Sequence, residues 1–240
     1  MLGDLFSLIA TVKKTGLTFA PEAATERLRK VLNKDFDLQD FFAAIRQAYT
    51  SGYQNIKLYF MIGIPCEEQA DLDAIIDLAI RASELRKQVH KKGAQVNLSV
   101  NTLIPKPHTP FQWLRMEPIE SIKSKQDYLR RKVKEYGRRG NLKLSMRKPE
   151  MSFLEGVLCR GDRRLSEVIL AAFRKKARFD AWDAYFDFKK WQEAFYELRI
   201  DPDFYLQEKP QDEPLPWDFL SIGVNKEVLI NESEKTIAIK

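Results

Sequence analysis

Two hydrophobic periods alternate along this chain, and that alternation restricts the fold more than any other feature. Asn55 to Ile62 (NIKLYFMI) is dense in β-branched and aromatic residues and reads as a strand. Glu67 to Val89 then switches to a helical period, with Leu72, Ile75, Ile76, Leu78, Ala79 and Leu85 on one side. Gln95 to Ile104 returns to a strand, Ile119 to Tyr136 to a helix, and Leu142 to Met146 to a further strand. Upstream, Leu17 to Phe19 is a short strand ending at Pro21. Ala24 to Lys34 places Leu28, Val31 and Leu32 on one helical face. Asp37 is positioned to cap a second helix through Tyr49, which Gly52 terminates.

Strand–helix repeats at this spacing predict βα units in a parallel sheet, with right-handed crossovers that curl it in one sense. Three or four strands are too few for a closed barrel, which takes eight strands and ~250 residues. The expected class is therefore α/β: a partial, half TIM-like barrel of parallel βα units over 1–148. A small helical, aromatic-rich C-terminal region over 149–240 follows, packed on the sheet or beside it. Within it, Ser152 to Leu158, Arg164 to Lys175 and Asp187 to Leu198 read as helices. Phe179, Trp182, Tyr185, Phe186, Phe188, Trp191 and Phe195 are expected to form one aromatic cluster.

Composition excludes several classes. The 240 residues contain no run of about 18 apolar residues, so no membrane span is expected. The apolar stretch Leu5 to Val12 lacks the basic region and cleavage site of a signal peptide, and a cytoplasmic location is expected. Two cysteines, Cys66 and Cys159, and two histidines, His90 and His108, lie far apart and form no metal-ligand spacing. The net charge of +6 is concentrated between Lys123 and Arg147. A basic stretch of that kind attracts phosphates, although a solvated helix face has the same composition.

Parallel sheets bind ligands at the C-terminal ends of their strands, and here each strand runs into a constrained turn. The first is followed by Ala20-Pro21-Glu22-Ala23, the second by Gly63-Ile64-Pro65-Cys66-Glu67, the third by Pro105 to Pro110. The third strand alternates Asn97, Ser99 and Asn101 with Val96, Leu98 and Val100. The second alternates Lys57, Tyr59 and Met61 with Ile56, Leu58, Phe60 and Ile62. A barrel packed only for stability fills its interior with branched apolar side chains. A polar inner face suits a polar ligand; a half-exposed sheet with a wet outer face produces the same pattern.

The segments GLTFAPEAATERLRKVLNK, IKLYFMIGIPCEE and VNTLIPKPHTPFQW together resemble the second half of the radical S-adenosylmethionine (radical SAM) fold. They are most similar to the large cobalamin-binding-domain radical SAM proteins of bacteria. SFLEGVLCRGDRRLSEVI, KARFDAWDAYFDF, DPDFYL and EPLPWDFL resemble the C-terminal portion of that group. The likeness runs from about Gly16 to Lys226.

The resemblance implies S-adenosylmethionine and a 4Fe–4S cluster as cofactors, with cobalamin carried by an N-terminal domain absent from this chain. It assigns Glu22 to the sugar or methionine part of the cofactor. Lys34 stands where relatives keep an Arg near the cofactor carboxylate, retaining charge but losing the bidentate fork. Gly63, Pro65 and Glu67 match a Gly-x-Pro-x-Glu turn whose backbone approaches the adenine, where a side chain would obstruct. Asn97, Ser99 and Asn101 line the lumen, and Pro105 to Pro110 shape its rim. Cys66 receives no role. Each position also has a plain structural reading: Glu22 as a helix-start carboxylate, Gly63 and Pro65 as turn residues, Lys34 as a solvated cation.

The three-cysteine loop that holds the cluster in that family is missing. Thiolates suit iron–sulfur clusters because soft sulfur matches the metal, and this sequence has only two cysteines. The expected partner is an N-terminal half or upstream polypeptide carrying the cluster, and the chain is not expected to be active alone. It would then be a fragment, one half of a split gene, or a decayed homologue. Two readings compete. One is a non-catalytic binding module whose basic helix 123–147 docks RNA or a protein. The other is an independent α/β enzyme using acid–base residues such as Glu22 and Lys57; no nucleophile–base pair at recognisable spacing supports it.

Overall fold

A computed structural model describes residues 16–136 and 141–238, with two compact units among them. The expected Leu5–Val12 segment and the basic residues Arg138 and Arg139 lie outside the described residues. The first unit comprises 16–101, 123–136 and 141–146, the second 102–122 and 147–238. The sequence places a boundary at 148. The contacts divide the chain at nearly that point but also assign the segment after the third strand to the second unit.

The elements of the first unit begin with β1 (Leu17–Glu22), α1 (Glu26–Val31), α2 (Leu38–Thr50) and β2 (Asn55–Ile62). They continue with α3 (Gln69–His90), β3 (Gln95–Thr102), α4 (Ile119–Tyr136) and β4 (Leu142–Met146). The division between the units falls within the ends of β3 and α4. The strands form one parallel sheet in the order β1-β2-β3-β4. That order has a structural consequence. When successive parallel strands are added on the same side, right-handed crossovers place every connecting helix on the same face.

Burial follows that asymmetry. Ile56, Leu58, Phe60 and Ile62 of β2, with Val96, Leu98 and Val100 of β3, are wholly buried. Each such side chain contributes roughly 1.5–3 kcal/mol relative to exposure. The alternate positions Lys57, Tyr59, Met61 and Asn97 are only half-buried, and Asn101, Lys143 and Ser145 are exposed. All-parallel sheets ordinarily have both faces covered; among the described residues the polar face of this one is partly exposed, with Ser99 buried on it.

The helices start where local chemistry directs. Asp37 accepts from the backbone N–H groups of Gln39 and Asp40 and caps α2, as the sequence indicates. The third helix begins two residues later than expected, because Glu68 and Asp71 form a reciprocal capping box. The first strand runs past Pro21 instead of stopping at Phe19. Pro21 falls in the irregular stretch between the Phe19 and Glu22 pairings, where a missing N–H is tolerated.

The second unit contains α5 (Pro149–Arg160), α6 (Leu165–Arg174), α7 (Phe188–Glu197), α8 (Asp203–Leu206) and α9 (Lys226–Ala238). Its core gathers Met116, Leu154, Val157, Val168, Trp191, Phe195 and Tyr205. Trp113, Leu215, Trp217 and Leu229 make a second, smaller cluster. The expected single aromatic cluster is split. Trp191 and Phe195 are buried and Phe186 and Phe188 pack against them, while Phe179, Trp182 and Tyr185 point outward. Among the described residues no helix is long and apolar enough to cross a membrane.

Candidate functional site

At the C-terminal edge of the first unit's sheet, β1 ends irregularly. Its pairing runs Phe19↔Leu58 and then Glu22↔Phe60, so three steps along β1 match two along β2. A bulge of this kind re-aims the side chain that follows it. Glu22 adopts φ +62°, a conformation that disfavours any side chain.

Its carboxylate meets Lys34, with Nζ 2.9 Å from Oε1. Helix termination makes that meeting possible. Asn33 takes a positive φ of 50°, with Asn33 N donating to Lys30 O and Lys34 N to Arg29 O, a Schellman ending for α1. The turn returns the chain toward β1 and delivers Lys34 to Glu22. Two residues assigned separately from the sequence are thus brought together, and both remain partly exposed.

The turn after β2 is held from several sides. Gly63 adopts φ +77° and donates its N–H to Glu67 Oε2 at 2.9 Å. The same oxygen lies 2.8 Å from Lys125 Nζ on α4, and the Glu67 side chain is 1% exposed. The N–H of Gly63 is therefore committed within the protein, so a ligand at this turn would rely on close approach and not on donation from that group. Pro65 is half-buried, and Cys66 has φ +59° with its carbonyl accepting from Arg27 Nη1.

Asp71 ties this turn to the loop after β1. One carboxylate oxygen accepts from Thr25 Oγ1 at 2.5 Å; the other accepts from Arg27 at 2.5 Å and from Glu68 N at 2.8 Å. The sequence reading missed Asp71, although Glu68-x-x-Asp71 before an apolar helix is a capping-box spacing that marks it.

On the polar face, Lys57 Nζ donates to Tyr59 Oη at 2.7 Å and lies 4.4 Å from its ring centre. Ser99 is nearly buried, Asn101 is exposed, and Asn97 accepts from Gln95. Strand register sets Asn97 beside Lys143 and Ser99 beside Ser145. Glu22, Gly63 and Asn101 thus stand at or next to the C-terminal ends of three successive strands. Pro105 to Pro110 belong to the second unit, where His108 N donates to Gln112 Oε1.

Three positive-φ residues other than glycine lie at or after strand ends: Glu22 closes β1, and Cys66 and His108 come after β2 and β3. Asn33, Lys91, Lys176 and Arg199 also have positive φ, but they terminate helices, where that conformation is routine. Turns account for two of the three: Glu67 N donates to Ile64 O around Pro65-Cys66, and Ala23 N donates to Pro21 O across Glu22.

The residues do not fit an iron–sulfur cluster. The chain has two cysteines, and no group of three His, Cys, Asp or Glu that could hold a metal occurs among the described residues. Cys159 donates to Gly156 O, and burial pushes its thiol up to about 11. A groove of about 740 Å³ between α2 and α3, lined by Phe42, Arg46, Arg81 and Glu84 among others, brings no nucleophile and base together.

The fold and these strand ends define an α/β protein with a one-sided parallel sheet and a polar, partly exposed C-terminal edge. No family model and no solved structure matches the chain. It is 36% identical over 163 residues to an uncharacterized protein of Methanocaldococcus jannaschii, an alignment covering 68% of this chain. The chain spans about a third, 34%, of the length of that relative.

Proposed function

We propose that this chain is the later half of a radical SAM-type barrel, contributing cofactor and substrate contacts to a reaction whose cluster is held by another polypeptide segment. The observation that carries the reading is the partly exposed polar face of a sheet whose strands are added in one direction, ending at the Glu22–Lys34 pair. Parallel strands added in one direction are compatible with a half barrel, whose lumen the partly exposed polar face would then line.

In this reading Glu22 and Lys34 receive the sugar and the amino-acid end of S-adenosylmethionine, and Gly63 and Pro65 shape the adenine's approach. Glu67 acts through Gly63, whose N–H it holds in place. Ser99 and Asn101 offer hydrogen bonds from the inner face, with Asn97 and Tyr59 deeper along it. Bound S-adenosylmethionine would supply a carbon radical on reductive cleavage; this chain has no ligand set for the reductant, and no step is drawn through it. Cobalamin, in this reading, would be held by the polypeptide that holds the cluster. A cytoplasmic location accompanies the proposal.

Calorimetric titration with S-adenosylhomocysteine tests the reading directly. The expected result is binding that Glu22→Gln or Lys34→Met weakens about tenfold, in line with loss of a charge-assisted hydrogen bond worth roughly 1.5–3 kcal/mol. Co-expression with an upstream polypeptide carrying three clustered cysteines should yield an iron–sulfur absorbance that neither part has separately. No binding of the nucleoside together with no association would overturn it. The alternative, RNA or protein docking by the basic stretch 123–147, draws less support; the expected single helix there ends at Tyr136, and 142–146 is strand β4. Lys125, Arg130 and Lys132 are paired with Glu67, Asp127 and Asp73.

A further inference from the structure

The second unit has a surface that the proposed reaction does not use. Among the described residues every large hydrophobic side chain that is exposed lies between Leu158 and Val228. One patch combines this exposure with charge. Phe179, Trp182 and Tyr185 occupy the turn between α6 and α7 and are 69, 67 and 63% exposed. Their neighbours Phe186 and Phe188 pack against the core, so the segment separates its rings into an inward and an outward set.

The backbone that carries the outward rings is hydrogen-bonded. Trp182 N donates to Phe179 O, and Tyr185 N and Phe186 N both donate to Trp182 O. Lys148 Nζ holds the carbonyl of Asp183 at 2.8 Å. The Phe179 and Tyr185 rings stand 5.8 Å apart. Phe179 adopts φ +58°, and helix termination does not explain it, because Lys176 already supplies the left-handed residue that ends α6. A positive φ at a bulky aromatic residue is a true outlier.

The charge beside the rings is positive. Arg174, Lys176 and Arg178 are exposed and form no ion pair with another described residue, and Arg178 lies 4.8 Å from the Phe173 ring centre. Between Arg163 and Asp183 there are six basic residues and three acidic ones. Asp180 turns one carboxylate oxygen into the turn, leaving Asp183 as the exposed acid of the patch.

We propose that this turn binds single-stranded nucleic acid, with bases stacking on Phe179, Trp182 and Tyr185 and phosphates meeting Arg174, Lys176 and Arg178. Exposed ring faces close in sequence to cations without an ion pair among the described residues supply the elements of a stacking surface, tolerant of sequence because every base has a π-face. A polypeptide partner would also use rings and arginines, but three cations within five residues, none in an ion pair among the described residues, match the regularly spaced charge of a phosphate backbone. The inference is independent of the cofactor proposal, which rests on the other unit.

Fluorescence anisotropy of the intact chain with labelled oligouridylate, oligothymidylate and a duplex of equal length tests it. The expected result is binding to one or both single strands in preference to the duplex, and the stronger of the two identifies RNA or DNA. Engagement of three phosphates gives a log–log salt dependence of slope about −2. Trp182→Ala and Tyr185→Ser each weaken binding roughly tenfold, while circular dichroism stays unchanged. The triple variant R174Q/K176Q/R178Q flattens the salt dependence. Equal affinity for duplex, no binding at low salt, or binding insensitive to Trp182→Ala and Tyr185→Ser overturns the proposal. So does binding lost in R130Q/R131Q, which would place the site on α4.

Discussion

Lys125 Nζ lies 2.8 Å from a carboxylate oxygen of Glu67, and that oxygen also accepts the N–H of Gly63 at 2.9 Å. A helix surface, a strand-end turn and a helix start are thereby joined through one buried atom. Removing the lysine takes this ion pair from a carboxylate whose side chain is 1% exposed. Breaking a buried pair in this way costs roughly 3–5 kcal/mol, more than replacing both partners. Lys125→Met is therefore expected to lose about 3 kcal/mol in urea unfolding, and E67Q/K125M to recover at least about 1 kcal/mol of it. Equal stability of the single and double variants would falsify the coupling.

Glu22 combines backbone strain with an ion pair, and the two effects can be separated. A residue with a side chain at φ +62° pays roughly 1 kcal/mol that glycine does not. Glu22→Ala keeps the strain and loses the partner of Lys34; Glu22→Gly loses both. The glycine variant should thus be the more stable of the two by about 1 kcal/mol, contrary to the usual cost of glycine. Chemical denaturation of the pair measures this, and an alanine variant as stable as the glycine variant would remove strain from the account. If strain serves ligand binding, the glycine variant also loses nucleoside affinity while gaining stability.

The sequence reveals the sheet more fully than the site, for physical reasons. Burial alternates at every residue of β2, so Asn55 to Ile62 declares both its limits and its faces. Helices α2 and α4 are equally legible, the first through Asp37 and the second through its apolar period. The 4-residue α8 and the C-terminal α9 are not, because one is too short for a period and the other is weakly amphipathic. The Glu22–Lys34 pair depends on the Schellman turn at Asn33, which no spacing rule announces without a glycine. The outward rings at Phe179, Trp182 and Tyr185 look identical in sequence to the buried Trp191 and Phe195. Only the backbone path of the turn separates the two sets.

Arg160 is likewise invisible in sequence, since Cys159-Arg160-Gly161 reads as an ordinary helix end. It is wholly buried and donates to four backbone carbonyls: Pro105, Gln112, Tyr205 and Gln207. Burial pulls its pKa down to about 10, yet it remains cationic at neutral pH. Three chain segments of the second unit converge on its planar fork. Arg160→Met strips the donors from those carbonyls, at roughly 1–3 kcal/mol for each left unsatisfied. The expected outcome is an unfolded or molten second unit, seen as lost near-ultraviolet circular dichroism. Arg160→Lys should rescue only part of the signal, because an ammonium cannot span the four positions. Full rescue by lysine would mean that charge, not geometry, holds the segments.

The neighbouring thiol gives a pH prediction with a definite sign. Burial raises Cys159 from 9.0 to about 11, while Lys106 and Arg160 pull it the other way. A folded pKa above the unfolded value means that the thiol contributes stability below pH 9, and that this contribution is lost as pH rises through about 11. In a Cys66→Ser background, thiolate absorbance should titrate near pH 11 in the folded chain and near pH 9 in urea. Alkylation at pH 8 should accordingly be slower in the folded chain than in the unfolded one. Cys159→Ala should show less loss of stability between pH 9 and 11 than the parent. A folded-state titration at the unfolded value would place the thiol in contact with solvent and remove the desolvation on which the prediction stands.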